Sequence, residues 1–157
     1  YPKKIKAGTH NKELLLNIDF APTLLDLAGV SIPKDIQGES FKKQLYGKRY
    51  KGRDAVYYHY YEYPFWHKVQ PHYGVSTGKY KLIHYYYDMD EWELFDLEND
   101  KNEMQNLYGK PGYEKITVTL KQKIKSLQKQ YKDDMSLEEM RAMTDMVVKR
   151  VYSERNN

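Results

Sequence analysis

Four of the five histidines fall in one stretch, residues 53–87, which reads RDAVYYHYYEYPFWHKVQPHYGVSTGKYKLIHYYY. Two of them, His67 and His72, lie in or beside a segment bounded by Pro64 and Pro71, next to Phe65 and Trp66. An imidazole donates and accepts hydrogen bonds near neutral pH, and Trp and Phe offer flat apolar faces. On a loop held by a rigid sheet, where recognition residues concentrate, these types point to ligand binding. A zinc site fits them poorly, because histidines five positions apart in a Pro-bounded loop are loosely spaced and no third ligand suggests itself. His59 and His84 fall within expected strands and are expected to be structural. Asp19 is expected to cap a helix rather than hold a metal, since a carboxylate there accepts the free N–H groups of the next turn. The chain has no cysteine, which excludes disulfides, thiolate zinc sites and cysteine nucleophiles.

The elements that position these groups follow from periodicity. Along residues 54–61 alternation places Val56, Tyr58 and Tyr60 on one face and Tyr57, His59 and Tyr61 on the other. Both faces are aromatic, so both are expected to be covered, one by a helix and the other by a larger body or a ligand. Residues 75–77 and 80–86 flank Gly78 and Lys79, a two-residue turn with glycine first, as a type II′ hairpin requires. Residues 92–97 read as a further strand and 103–108 as a single helical or 3₁₀ turn. Tyr113, Ile116, Leu120, Ile124, Leu127 and Tyr131 recur at steps of three or four, which predicts one amphipathic helix over 113–131 able to cover the strands. Ser136 and Glu139 form a capping-box pair. They open a second, weaker stripe of Met140, Met143, Val147 and Val151 that has no evident partner in the chain.

Ahead of the strands the chain reads as helical. Residues 13–18 (ELLLNI) suit a buried strand or a lead-in to a helix. A short helix is expected over 19–28, with Pro22 in its first turn and Gly29 ending it. Residues 31–38 are a connector, 40–46 a short helix, and the polar segment 48–52 the expected boundary. The domain reading is therefore 1–48, 49–132 and a helical tail, 133–157.

Composition narrows the function classes. Charged residues make up 31% of the 157, and the net charge of +4 is spread among acidic residues, unlike the clustered basic face of a nucleic-acid binder. The hydrophobic class is 40%, but 17 residues are tyrosines, so the aliphatic core is thin and the rings are expected to sit at surfaces as well as inside. No apolar run approaches the roughly 20 residues of a membrane span. The first residues, Tyr1-Pro2-Lys3-Lys4, include neither an initiator methionine nor a signal-peptide pattern. The chain is therefore expected to be cut or processed from something longer.

Several stretches carry a resemblance. Residues 18–29, IDFAPTLLDLAG, are similar to a D-x-x-P-T-x-L-D-x-A-G helix, and residues 37–40 with 45–47 to a QG-x-S…L-x-G segment. Residues 72–75 and 80–83 are similar to a hairpin. Residues 92–97, with Asp100, Glu103, Asn106 and Leu107, are similar to E-L-Y-D-L-x-x-D-x-x-E-x-x-N-L. In this order they resemble the C-terminal portion of bacterial type I sulfatases of the alkaline phosphatase superfamily. The resemblance covers about residues 12–132 and leaves the tail uncovered.

The resemblance implies an α+β fold. A small antiparallel sheet of about four strands would pack on one long C-terminal helix, preceded by the helical end of a larger α/β domain. It implies a formylglycine nucleophile from a C-x-P-x-R or S-x-P-x-R motif and a Ca²⁺ ion, both in the parent enzyme and with ligands outside this chain. The nearest match, Ser31-Ile32-Pro33-Lys34-Asp35, has Asp35 where the arginine belongs, and an acid there repels a sulfate ester. No catalytic or metal residue is therefore expected in this chain, which should be inactive alone. Candidate substrate-binding residues are His72, His67 and Trp66: imidazoles to donate to a sulfate or sugar hydroxyl, and Trp66 with Phe65 to pack a pyranose. Ser76 stands where relatives often place an arginine, and it cannot make the paired bonds of a guanidinium. The expected partners are the N-terminal catalytic domain of the parent and a sulfated glycan. A periplasmic or secreted location follows by family analogy. A carbohydrate-binding module or a self-associating (dimerisation) module is the alternative.

Overall fold

The computed structural model describes residues 1–48 and 50–155. They form two compact units, Tyr1–Val56 and Tyr57–Asn157.

In the first unit, residues 13–16 are extended and non-strand. They lead into a 3₁₀ turn, Asn17–Asp19, that runs directly into α1, Phe20–Ala28. The lead-in reading of 13–18 holds and the buried-strand reading does not. Gly29 ends α1 in the left-handed region, with φ of 73°. A short helix, α2, covers Lys42–Leu45. Asp19 does not cap α1, contrary to expectation: it is itself helical (φ −81°, ψ −16°) and makes no side-chain cap bond there. Its carboxylate is instead buried and accepts from Leu16 N–H (2.7 Å), Glu39 N–H (2.9 Å) and the Arg53 guanidinium. The carboxylate is turned back to the Leu16 N–H that opens the 3₁₀ turn and to the distant donors Glu39 N–H and Arg53, and so is not available to the first turn of α1. Asp26 ties the same connector to α1, accepting from Ser40 Oγ (2.6 Å) and Lys42 Nζ (2.8 Å). Thr23 Oγ donates to the Asp19 carbonyl (2.6 Å) and accepts the Phe41 N–H (3.0 Å).

The second unit carries a four-stranded sheet in the order β1 (Val56–Tyr60, whose first residue belongs to the first unit), β2 (His72–Ser76), β3 (Tyr80–Tyr85) and β4 (Glu91–Asp96). β2–β3 and β3–β4 are antiparallel, with Val75 opposite Leu82 and Leu82 opposite Leu94. Gly78 (φ 80°) takes the first central position of the β2–β3 turn, and Lys79 keeps a negative φ, as a type II′ turn demands. The inner face presents Tyr73, Val75, Leu82, His84, Trp92 and Leu94. α3, Glu114–Tyr131, covers it with buried Leu120, Ile124 and Leu127, so the predicted stripe is the one used.

Residues 103–108 are not helical, contrary to expectation. They run beside the free edge of β4, where Asn106 Oδ1 accepts the Leu94 N–H (3.0 Å), Asn106 Nδ2 donates to the Trp92 carbonyl (3.1 Å), and Leu107 N–H donates to the Leu94 carbonyl (2.8 Å). Covering an open sheet edge satisfies backbone groups that a lone helical turn leaves unpaired. The other polar residues of this motif also build structure. Asp96 accepts from Glu98 N–H and Asn99 Nδ2, Asp100 accepts from Gln105 N–H, and Glu103 pairs with Lys81 (2.7 Å).

The tail forms α4, Leu137–Arg155, opened by the expected capping box: Ser136 N–H to Glu139 Oε2 is 2.7 Å and Glu139 N–H to Ser136 Oγ 3.2 Å. Its stripe does have a partner in the chain. Met140 and Val151 are buried, and Met140, Met143 and Val147 line a small cavity with Tyr61, Tyr63 and Tyr86. Arg141 donates to the Tyr86 carbonyl (2.7 Å) and pairs with Asp90 (2.8 Å), and Tyr87 donates to Asp145 (2.7 Å). The sequence pattern missed this because half of the docking is polar.

Gly74 tests the packing of β1 on β2. A Cβ built there lies 2.5 Å from the Tyr58 hydroxyl and 2.7 Å from the Leu82 carbonyl, well inside contact distance. Gly74→Ala is expected to lower the unfolding free energy by about 1–3 kcal/mol, the usual cost of overpacking, read from urea midpoints.

Candidate functional site

The two faces of the sheet treat their histidines differently. On the inner face His59 and His84 are each held at both ring nitrogens. His59 Nδ1 lies 2.8 Å from Asp133 Oδ2 and its Nε2 3.1 Å from the Tyr86 hydroxyl. His84 Nδ1 lies 2.8 Å from the Tyr73 hydroxyl and its Nε2 2.9 Å from Asp90 Oδ1. A carboxylate only accepts, so each neutral ring carries its proton on the side facing the aspartate and accepts from tyrosine on the other. Burial pushes both imidazoles below their usual pKa, against the opposing pull of Asp133 and Asp90. Burial also raises the Tyr73 hydroxyl to about 12, so it stays a donor. Asp133 further accepts from Tyr57 (2.7 Å) and Tyr61 (2.9 Å). Burial would raise its pKa, but these bonds outweigh it and keep the carboxyl ionised below its usual range. Sequence reading passed over Asp133, Asp90 and Arg141. The signal available was a run of strand tyrosines and histidines whose polar tips need acceptors once buried.

On the outer face His72 stands among aromatic rings. Tyr60 stacks on it at 5.4 Å, Tyr85 lies at 5.1 Å and Tyr58 meets it edge-on at 6.0 Å. Its Nδ1 donates to the Gln70 carbonyl (2.8 Å), which makes Nε2 the acceptor in the neutral ring. The buried hydroxyls of two of these rings, Tyr58 and Tyr60, have no partner among the described residues, and neither has the buried Oε1 of Gln70. Unpaired buried polar atoms are uncommon in native structures.

His67 and Trp66 lie apart from this cluster, in the loop that follows the cis Tyr63–Pro64 bond, and both side chains are exposed, Trp66 by 89%. No ring contact or hydrogen bond joins either to His72 among the described residues. Ser76 accepts the Gly78 N–H within the hairpin (3.4 Å) and stands opposite Lys81, which pairs with Glu103.

No group of three or more His, Asp or Glu side chains is arranged to hold a metal ion among the described residues. The buried carboxylate of Asp19, the best hard-oxygen donor of the first unit, is taken by Arg53 and two backbone N–H groups. Burial raises its pKa, but Arg53 and these bonds prevail and hold it low. The residues present do not fit calcium. The segment Ser31-Ile32-Pro33-Lys34-Asp35 lies in an exposed connector outside any helix or strand.

The family model for N-sulphoglucosamine sulphohydrolase, C-terminal, matches residues 1–130. The chain belongs to this sulfatase family. It is 50% identical over 137 residues to an N-acetylglucosamine-6-O-sulfatase of Bacteroides thetaiotaomicron, covering 85% of this chain and 25% of the relative. It is 35% identical over 126 residues to an arylsulfatase of Clostridium perfringens, covering 80% and 25%. A solved sulfatase structure, described as a complex with its substrate D-glucosamine-2-N,6-O-disulfate, superposes with a TM-score of 0.83 at 50% identity, covering 88% of this chain and 28% of that one. The chain spans about a quarter of the length of these relatives.

The two inner histidines give the unit a pH dependence. Their folded pKa values lie below that of a free imidazole, about 6.5, so their contribution to stability is full above that pH. It drains away as the pH falls, because the unfolded chain then binds the extra protons. Urea midpoints are expected to fall between pH 7.5 and pH 5, above the range where carboxylates titrate, and His84→Gln is expected to flatten that fall.

Proposed function

We propose that this chain works as the C-terminal portion of a sulfatase that hydrolyses sulfate esters on a glycan. It contributes scaffold and sugar recognition, and the reacting groups come from polypeptide outside it. The observation that carries this reading is the 50% identity to an N-acetylglucosamine-6-O-sulfatase across 85% of the chain. Formylglycine and Ca²⁺ belong, on this reading, to the larger catalytic body. The first unit supports a covering body of that kind, since Phe20 and Leu24 of α1 are 59% and 65% exposed, and Leu15, Ile18 and Val30 are exposed with them. Isolated apolar residues on a surface need no explanation, but a run of them around one helix does.

His72 is the residue assigned to substrate, with His67 as a second donor from the loop. The hydrogen bond from His72 Nδ1 to the Gln70 carbonyl supports this, because it fixes the ring and leaves Nε2 free to accept from a sugar hydroxyl. A periplasmic or secreted location accompanies the reading by family analogy.

Two measurements test it. The isolated chain is expected to release no sulfate from glucosamine 6-sulfate, with or without Ca²⁺, and turnover by rigorously pure chain would refute the assignment. In the intact enzyme His72→Ala is expected to raise KM about tenfold or more, in line with a lost hydrogen bond to a charged or strongly polar group. An unchanged KM removes His72 from the substrate site. Calorimetry of the isolated chain against sulfated oligosaccharides separates this reading from a free-standing carbohydrate module, which binds by itself, and light scattering at several concentrations reports any self-association.

A further inference from the structure

The family match ends at residue 130, and α4 lies beyond it. The C-terminal turns of this helix nonetheless build one wall of a groove. Val151 and Glu154 on α4, with Phe65 and Trp66 on the loop, enclose an open space of about 250 Å³. The helix wall is anchored, since Val151 is buried, and Arg150 Nε donates along the helix surface to Glu154 Oε1 at 2.9 Å. The loop wall is the reverse: Phe65 is 49% exposed and Trp66 89%. Leaving an indole that open forgoes apolar burial worth about 25 cal/mol per Å², and nothing in the chain's own packing uses it.

The chemistry of the walls selects the occupant. A protein partner's apolar knob wants a continuous aliphatic hollow. This groove instead sets the rings of Phe65 and Trp66 against the carboxylate of Glu154. A pyranose has the matching character, with an apolar C–H face for the rings and a rim of hydroxyls for Glu154, whose Oε2 has no hydrogen-bond partner among the described residues. The volume lies below the roughly 300–1,000 Å³ of pockets for drug-sized ligands, which suits a single ring. Glu154 is the one charged residue among the described residues that line the groove, and Arg150 pairs with it, so the groove suits an unsulfated ring of the glycan rather than a sulfated one.

We propose that the Phe65–Trp66–Glu154 groove is a second saccharide subsite, which holds a ring of the sulfated glycan other than the one whose ester is cleaved. This rests on the glycan-sulfatase reading and separates Trp66 from His72, which lies among the outer-face rings. Trp66 then sets a preference for longer chains and Glu154 orients the bound ring.

The test is the ratio of kcat/KM on a heparin-derived tetrasaccharide, with 6-sulfated glucosamine at its non-reducing end, to kcat/KM on glucosamine 6-sulfate. In the intact enzyme Trp66→Ala is expected to lower this ratio about tenfold through KM, and Glu154→Gln to lower it less. Thermal midpoints should stay within a few degrees of wild type, since Trp66 is a surface residue. A ratio unchanged in Trp66→Ala, or an equal loss on both saccharides, overturns the proposal. Should wild type turn over neither saccharide, the sulfatase reading fails, and calorimetry with the same tetrasaccharide decides the groove separately. Binding by wild type that Trp66→Ala abolishes upholds it, and equal binding or none overturns it.

Discussion

The carboxylate of Asp133, just past the end of α3, accepts hydrogen bonds from Tyr57, His59 and Tyr61. Much of the second unit depends on that meeting. β1 presents polar-tipped rings to the inner face, and such rings can be buried only where each hydroxyl and ring nitrogen finds a partner. One ionised acceptor at the α3–α4 junction serves three of them, so the strand, the long helix and the start of the tail are brought together by the same charge. His84 repeats the solution on a smaller scale, bonded to Asp90, which Arg141 of α4 then neutralises. The sheet is thus held by aliphatic packing in its centre and by charge-assisted hydrogen bonds where the rings end.

The same economy explains why the recurring motifs of the chain are not chemistry. Asp19, Asp26, Asp96, Asp100, Glu103 and Asn106 carry most of the resemblance to sulfatases, and each spends its polar atoms on backbone or a neighbouring charge. What the chain offers a ligand lies between these fixed points. On the outer face His72 sits among rings with unmet hydrogen bonds. On the loop Trp66 stands open beside α4. Rigid surroundings with a few unspent polar groups are what a recognition surface requires.

The family resemblance and the packing bear on different questions. The family model covers residues 1–130 and stops short of α4. Packing shows that α4 is bound to the second unit through Met140, Arg141 and Asp145. Its far end is therefore a fixed wall.

Sequence alone determined the long helix, the hairpin turn, β4 and the capping box of α4. Each is governed by local rules: a repeat of 3.6 or 2 residues, a glycine at positive φ, a side chain reaching its own backbone. It also placed His59 and His84 mid-strand and His67 on the loop, whereas His72, read as loop-side, is the first residue of β2. Tertiary structure decided everything that needed a distant partner. Asp19 abandoned capping for Arg53, 34 residues away. Residues 103–108 straightened to cover the edge of β4, and α4 found its partner in the tyrosines of residues 61–87. Three inner-face rings converged on Asp133, and Trp66 parted from His72. A hydrogen bond or a ring contact across the fold leaves no period in the sequence, because its strength depends on where the chain returns in space.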